Sequence, residues 1–274
     1  MSSNAPIGVF DSGVGGLTVA REIMRQLPEE RLIYFGDTAR LPYGSKSKAT
    51  IIRYSRQILR FLESQNVKAI VVACNTATAL ALPVLQAEAT VPVLGVIDAA
   101  ARVASEKTRN GRVGVVATTA TIESSMYTKA LKACNPKIQV YGKACPLLVP
   151  LVEEGWIHDS ITEEVVNRYI KDMEYKSIDT LILGCTHYPL LRSTFRRVVG
   201  ENVILVNPAY ETAMELGRVL EKLDLSCDEQ VTQAGEKYEF FVSDAEERFC
   251  AFANSILPYD IEAVKQVNIE EENE

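Results

Sequence analysis

The feature that most constrains this chain is a repeated alternation of short β-branched runs with helix-period segments. Ile7–Phe10 reads as a strand, followed by a Gly-rich turn and a helix over Leu17–Leu27. Strand Arg31–Phe35, helix Thr50–Gln65, strand Ala69–Ala73, helix Thr76–Glu88 and strand Val93–Val96 continue the pattern. Strands alternating with helices at this spacing predict parallel sheets covered by helices on both faces.

The rhythm then restarts. Asp98–Lys107 reads as a helix, Arg112–Ala117 as a strand, Ile122–Ala133 as one helix and Ile138–Gly142 as a strand. Pro146–Glu154 and Ile161–Lys176 read as helices, Thr180–Leu183 as a strand, Leu190–Val199 as a helix and Val203–Val206 as a strand. Helix Glu211–Leu223 leads to a strand–helix–strand end over Lys237–Val242, Ala245–Ile256 and Ile261–Val267, with an acidic tail Glu270–Glu274 expected to fray. Two segments recur in order. Ile7–Ser12 resembles Val113–Thr118 at a shift of 106 residues, and Ile70–Thr76 resembles Leu181–Thr186 at a shift of 111. Matching order and nearly equal shift predict two similar α/β halves. A pseudo-two-fold arrangement would make Cys74 and Cys185 face each other across a cleft.

Composition narrows the function classes. A net charge of −7 over 274 residues argues against nucleic acid or an anionic membrane as default partner. The longest apolar runs, such as Ile70–Cys74, are strand-sized rather than membrane-spanning. The opening MSSNAPIGVF has no basic region or apolar stretch of a secretory signal, so a soluble, intracellular protein is expected. Six cysteines without a Cys-x-x-Cys pair, and only two histidines, make neither a disulfide scaffold nor a zinc site, and no metal is expected.

Cys74 ends a strand and opens a helix, followed by the capping types Asn75 and Thr76. Cys185 reads the same way, with Thr186 after it and Pro189 at an early helical position. Strand carboxyl ends are where open α/β sheets bind ligands, and helix N-termini favour thiolate. Two facing thiols suggest a base and an acid on opposite faces of a carbon centre; a redox disulfide uses the same pair. Asp11-Ser12-Gly13-Val14-Gly15-Gly16 forms a strand–helix turn able to cradle a phosphate or carboxylate. It is not a dinucleotide fingerprint, because Thr18 stands where Gly or Ala is needed. Pro42-Tyr43-Gly44, in a polar loop with Asp37, Arg40 and Ser45, reads as a rigid turn or a pocket wall. Thr118, Thr119 and Thr121 offer hydroxyls at another strand end. His187 can orient or ionise a thiol. Glu153 and Glu154 read as surface charges, and Cys134, Cys145, Cys227 and Cys250 as structural.

F-D-S-G-V-G-G-L (10–17), P-Y-G (42–44), A-C-N-T-A-T (73–78) and G-C-T-H-Y-P-L-L (184–191) together resemble the glutamate racemases of the aspartate/glutamate racemase family. The resemblance runs from about Ile7 to about Leu257. It implies cofactor-independent interconversion of L- and D-glutamate, with D-glutamate supplied to peptidoglycan synthesis in the bacterial cytoplasm. The implied fold is two similar α/β domains with mainly parallel sheets and the active site in the cleft between them. The resemblance places the first domain at 1–97 plus 207–274 and the second at 98–206, in a homodimer. It implies that Cys74 is the base toward D-glutamate and Cys185 the base toward L-glutamate, assisted by Asp11 and His187, with Glu153 in support. Ser12, Pro42, Tyr43, Gly44, Asn75, Thr76, Thr118, Thr121 and Thr186, with Asp11 and His187, would bind the substrate. His187 separates the chain from related aspartate racemases, which typically carry Glu after Cys-Thr. Asn207-Pro208-Ala209 and Val242-Ser243-Asp244 are less typical of the family. A racemase or decarboxylase for another small carboxylate, a non-catalytic acid-binding or regulatory protein, and a thiol redox protein are the competing readings.

Overall fold

Strands that are buried on both faces are mostly apolar, and the central strands of this chain are, apart from Asp11 at the end of one and Thr180 at the start of another. In the computed structural model, which describes residues 3–174, 176–227, 237–261 and 263–269, β1 (Ile7–Asp11), β2 (Leu32–Gly36) and β3 (Ala69–Val72) are buried at every position. Each fully buried Ile, Val or Leu contributes roughly 1.5–3 kcal/mol of transfer free energy. The first sheet has the order β10-β9-β2-β1-β3-β4, with β4 at Val93–Gly95, β9 at Tyr238–Val242 and β10 at Lys265–Gln266. The second has the order β6-β5-β7-β8, built from β5 (Arg112–Ala117), β6 (Gln139–Ala144), β7 (Thr180–Gly184) and β8 (Ile204–Val206). Every pairing between these strands is parallel. Parallel pairing requires crossovers, and the helices supply them.

The order β2-β1-β3-β4 repeats as β6-β5-β7-β8. The two recurring sequence segments therefore occupy equivalent places, β1 with β5 and β3 with β7. The chain is two α/β units of like topology, and the central strands of each carry the matched motifs. The C-terminal strands extend only the first sheet, with β9 against β2 in the register Leu32↔Tyr238 to Gly36↔Val242.

The helices are α1 (Leu17–Gln26), α2 (Lys48–Ser64), α3 (Asn75–Glu88), α4 (Val96–Lys107), α5 (Thr119–Glu123), α6 (Met126–Cys134), α7 (Leu148–Glu153), α8 (Ser160–Glu174), α9 (Arg192–Val199), α10 (Pro208–Lys222) and α11 (Glu246–Ile256). The single helix expected over Ile122–Ala133 is two, because Ser125 adopts φ +57° and breaks the ladder between α5 and α6. The strand expected over Ile261–Val267 shrinks to Lys265–Gln266. The helix expected over Leu190–Val199 starts as a 3₁₀ turn, Tyr188–Leu191, before α9. The acidic tail 270–274 lies outside the described residues. No helix among the described residues is long and apolar enough to cross a membrane.

Candidate active site

The loops after β1, β3, β5 and β7 converge on one cavity of about 650 Å³ between the two sheets. Its lining includes Ser12, Pro42, Tyr43, Gly44, Cys74, Asn75 and Thr76 from the first unit. Thr118, Glu153, Cys185, Thr186 and His187 close it from the second. The volume lies within the range of small-molecule sites. Two anticipated residues do not line it: Asp11 and Thr121 are buried behind the wall at 0% and 1% exposure.

Cys74 caps α3, and its sulfur accepts the Ala77 N–H at 3.5 Å. Its S–H points to the Ser12 hydroxyl at 3.8 Å. Burial, and then the negative charge of Asp11, push this thiol up to about 12; the Ala77 N–H and Ser12 oppose the shift. Asp11 ends β1 and accepts N–H bonds from Gly13 (3.1 Å) and Gly16 (3.0 Å) on one carboxylate oxygen. Burial raises its pKa, against the nearby charge of His187 and the loop's N–H groups. Gly16 has to be glycine, since a Cβ there would stand 2.3 Å from the Asp11 Cβ.

Cys185 is built differently from Cys74. It lies in a bend ahead of a 3₁₀ turn rather than at the mouth of an α-helix, with Pro189 near the start of that turn. The expected helix-terminus environment is therefore replaced by a side chain. His187 Nδ1 is 3.8 Å from the Cys185 sulfur, and Nε2 is 3.1 Å from Glu153 Oε1. Burial disfavours charge on this imidazole, but its hydrogen bonds to Cys185 and Glu153 and their charges outweigh that, and its pKa rises to about 10. The hydrogen bond from His187 holds Glu153 below the usual carboxylate range. Glu153 is thus not the plain surface charge that its Glu-Glu-Gly-Trp context suggests.

The sign of the pH dependence follows. The His187 contribution to stability is full below the ordinary histidine range and is lost as pH rises through about 10. The Glu153 contribution holds above the ordinary carboxylate range and is lost on acidification. Glu153→Gln keeps a hydrogen-bond acceptor but removes the charge. The His187 midpoint is expected to fall clearly below its native value. Proton NMR of the imidazoles can follow this, since the chain has only two histidines; an unchanged midpoint would contradict the assignment.

Hydroxyls join the two units at the cavity's other wall. Thr76, Thr118 and Thr121 form a triangle with Oγ1 separations of 3.0, 3.4 and 2.9 Å. Thr118 and Cys74 each cap a helix, and a Cβ on Gly44 would reach Thr118 Cβ at 3.0 Å. Tyr43 is buried, and its hydroxyl donates to Asp37, which also holds Arg40 Nε at 2.8 Å. Tyr127 of α6 donates to Asn75 Oδ1 at 2.7 Å and fixes that amide. Sequence reasoning missed Tyr127, since an aromatic at a helical position reads as core. It also missed the lining residues Lys46, Glu123, Pro146, Val149 and Pro150, which carry no local motif. No disulfide joins any of the six cysteines, all of which lie among the described residues. Among the described residues no group of three or more His, Cys, Asp and Glu side chains is placed to hold a metal ion.

Residues 7–215 match the Asp/Glu/Hydantoin racemase family. The glutamate racemase of Geobacter metallireducens is 47% identical over 268 residues, covering 98% of each chain. That of Neisseria meningitidis serogroup A is 46% identical over 265 residues, covering 96% of this chain and 97% of the other. Among solved structures, a glutamate racemase isoform from Bacillus anthracis superposes with a TM-score of 0.93 at 40% identity, covering 97% of this chain and 98% of that one. The Francisella tularensis glutamate racemase in complex with D-glutamate gives 0.90 at 38% identity, covering 98% and 99%.

Proposed function

The chain belongs to the Asp/Glu/Hydantoin racemase family and is a racemase, an isomerase; from that premise we propose that it interconverts L- and D-glutamate by proton transfer between Cys74 and Cys185, without a cofactor. The observation that carries the reading is the pair of thiols lining one cavity from opposite units, each at the carboxyl end of an equivalent strand. Full-length identity to glutamate racemases supports the choice of substrate.

Cys74 removes the α-proton of D-glutamate while the Cys185 thiol donates to the opposite face; the roles exchange for L-glutamate. One C–H bond breaks to leave an α-carbanion and another then forms on the opposite face, so the two thiols exchange protonation states in each turnover. The α-carbanion is costly, and it is stabilised by donors already aimed at the cavity. Ser12, Asn75, Thr76, Thr118, Thr186 and the Pro42-Tyr43-Gly44 turn bind the carboxylates and ammonium. Asp11 acts on Cys74 from behind the wall, Thr121 holds Thr76 and Thr118, and Glu153 keeps His187 charged beside Cys185.

The division into 1–97 plus 207–274 and 98–206 separates the two bodies that close on the substrate. The product fits D-glutamate supply for peptidoglycan, and hence cell-wall building and cell shape, in the cytoplasm, with the enzyme acting as a homodimer. The test is circular dichroism of L- and D-glutamate solutions with purified protein and no added cofactor. Both signals are expected to decay to zero, while aspartate and glutamine stay optically active. Decay of another amino acid with glutamate unchanged would reassign the substrate.

A further inference from the structure

Thr18, the residue that spoils the dinucleotide pattern, has no part in the mechanism above, yet it is fully buried at the seam between the two units. It stands in the first turn of α1. Its Oγ1 is 2.9 Å from Gly15 O in its own loop and 2.8 Å from Thr186 O, 168 positions away. A hydroxyl has one proton, so the two carbonyls share it. Thr186 lies between Cys185 and His187, so this bond ties the second thiol's turn to the Asp11–Gly16 loop.

The same seam is tight elsewhere. A Cβ on Gly15 would stand 2.4 Å from both Thr186 Oγ1 and His187 Cε1, so the loops pack backbone against side chain. Asp11, in that loop, feels the charge of His187 across it. Ser12, also in that loop, receives the Cys74 S–H. One thiol therefore touches the first loop and the other is adjacent to the turn that Thr18 holds.

We propose that Thr18 is a positioning residue: its hydroxyl fixes the Cys185–His187 turn against the first loop and thereby sets the offset between the two thiols across the substrate's α-carbon. The proposal rests on the two-thiol reading. Proton transfer needs the reacting atoms in tight geometry, and a displacement of about 1 Å can cost on the order of 10²-fold in rate. Loss of the Thr18 hydroxyl also leaves a buried carbonyl short of its donor, which favours a shift of the turn. Of the substrate-binding groups, Asn75, Thr76 and Thr118 lie off this seam while Ser12 and Thr186 lie on it, so binding should weaken less than turnover falls.

Thr18→Val replaces the hydroxyl by a methyl of similar size, and Thr18→Ser keeps the hydroxyl. Both are compared with the native enzyme for kcat and KM on glutamate, per folded protein as measured by near-ultraviolet circular dichroism. Thr18→Val is expected to lower kcat about 10- to 100-fold with a smaller rise in KM, and Thr18→Ser to recover kcat to within about threefold of native. Native-like kcat in Thr18→Val, a Thr18→Ser variant as slow as Thr18→Val, or a loss that vanishes once the folded fraction is counted would each overturn the proposal. If Thr18→Val does not fold, Thr18→Ala against Thr18→Ser gives the same comparison. A native enzyme inactive on glutamate would refute the substrate reading instead.

Discussion

Cys74→Ser is expected to lower racemisation of both enantiomers by roughly 10³-fold or more, within the contribution of a positioned acid–base group. A hydroxyl is far less acidic than a thiol, and this site already pushes the thiol up to about 12 by burial and by the charge of Asp11. Serine there has almost no access to its basic form. Folding should not suffer. The sulfur caps α3 by accepting the Ala77 N–H, and serine is a strong N-cap. The melting temperature should therefore stay level or rise while turnover collapses. With Cys185 intact, solvent exchange of the L-glutamate α-proton should persist in part, whereas exchange of D-glutamate should stop. Wild-type-like turnover would remove Cys74 from the mechanism.

Cys185→Ser should produce a comparable loss of racemisation in both directions, with α-proton exchange of D-glutamate persisting in part and that of L-glutamate stopping. It carries a second consequence that Cys74→Ser lacks. Cys185 helps to hold the His187 pKa near about 10, and Glu153 is its other support. Removal of the sulfur should lower that pKa, so the His187 titration moves toward neutrality in Cys185→Ser and stays put in Cys74→Ser. The two thiols are thus distinguishable by a signal independent of activity. Equal His187 titrations in the two variants would contradict the Cys185–His187 contact.

Much of the architecture could be read from local pattern because buried parallel strands announce themselves. Ile7–Phe10 and Ala69–Val72 are apolar at nearly every position, and the helices between them keep a 3.6-residue period. The internal repeat was legible as well, since β1 and β5 share an Ile/Val-Gly-Val run and occupy matched places in their sheets. Cys74 as a helix cap followed from its Asn-Thr neighbours. Cys185 misled, because Pro189 suits the first turn of an α-helix and of a 3₁₀ turn alike. The break at Ser125 left no mark, as Ser-Ser is compatible with a helix until the chain needs a left-handed residue.

The site was legible where its residues sit in strand-end motifs, and obscure where partners come from afar. His187 stands two residues from Cys185, but its other contact, Glu153, lies 34 positions earlier in a polar run. Tyr127 reaches Asn75 across 52 positions, and Thr18 reaches Thr186 across 168. Asp11 and Thr121 sit in motifs beside true lining residues, so sequence alone does not separate a wall from its backing.

The measurement that tests the two-thiol mechanism most directly is the fate of the α-proton in D2O with no added cofactor, read by NMR at low conversion from each enantiomer. Two bases on opposite faces require the newly formed enantiomer to carry solvent deuterium while the remaining substrate is still protiated, in both directions. A product that keeps the substrate's own proton would mean one base working both faces, and would contradict the assignment of Cys74 and Cys185 as a pair.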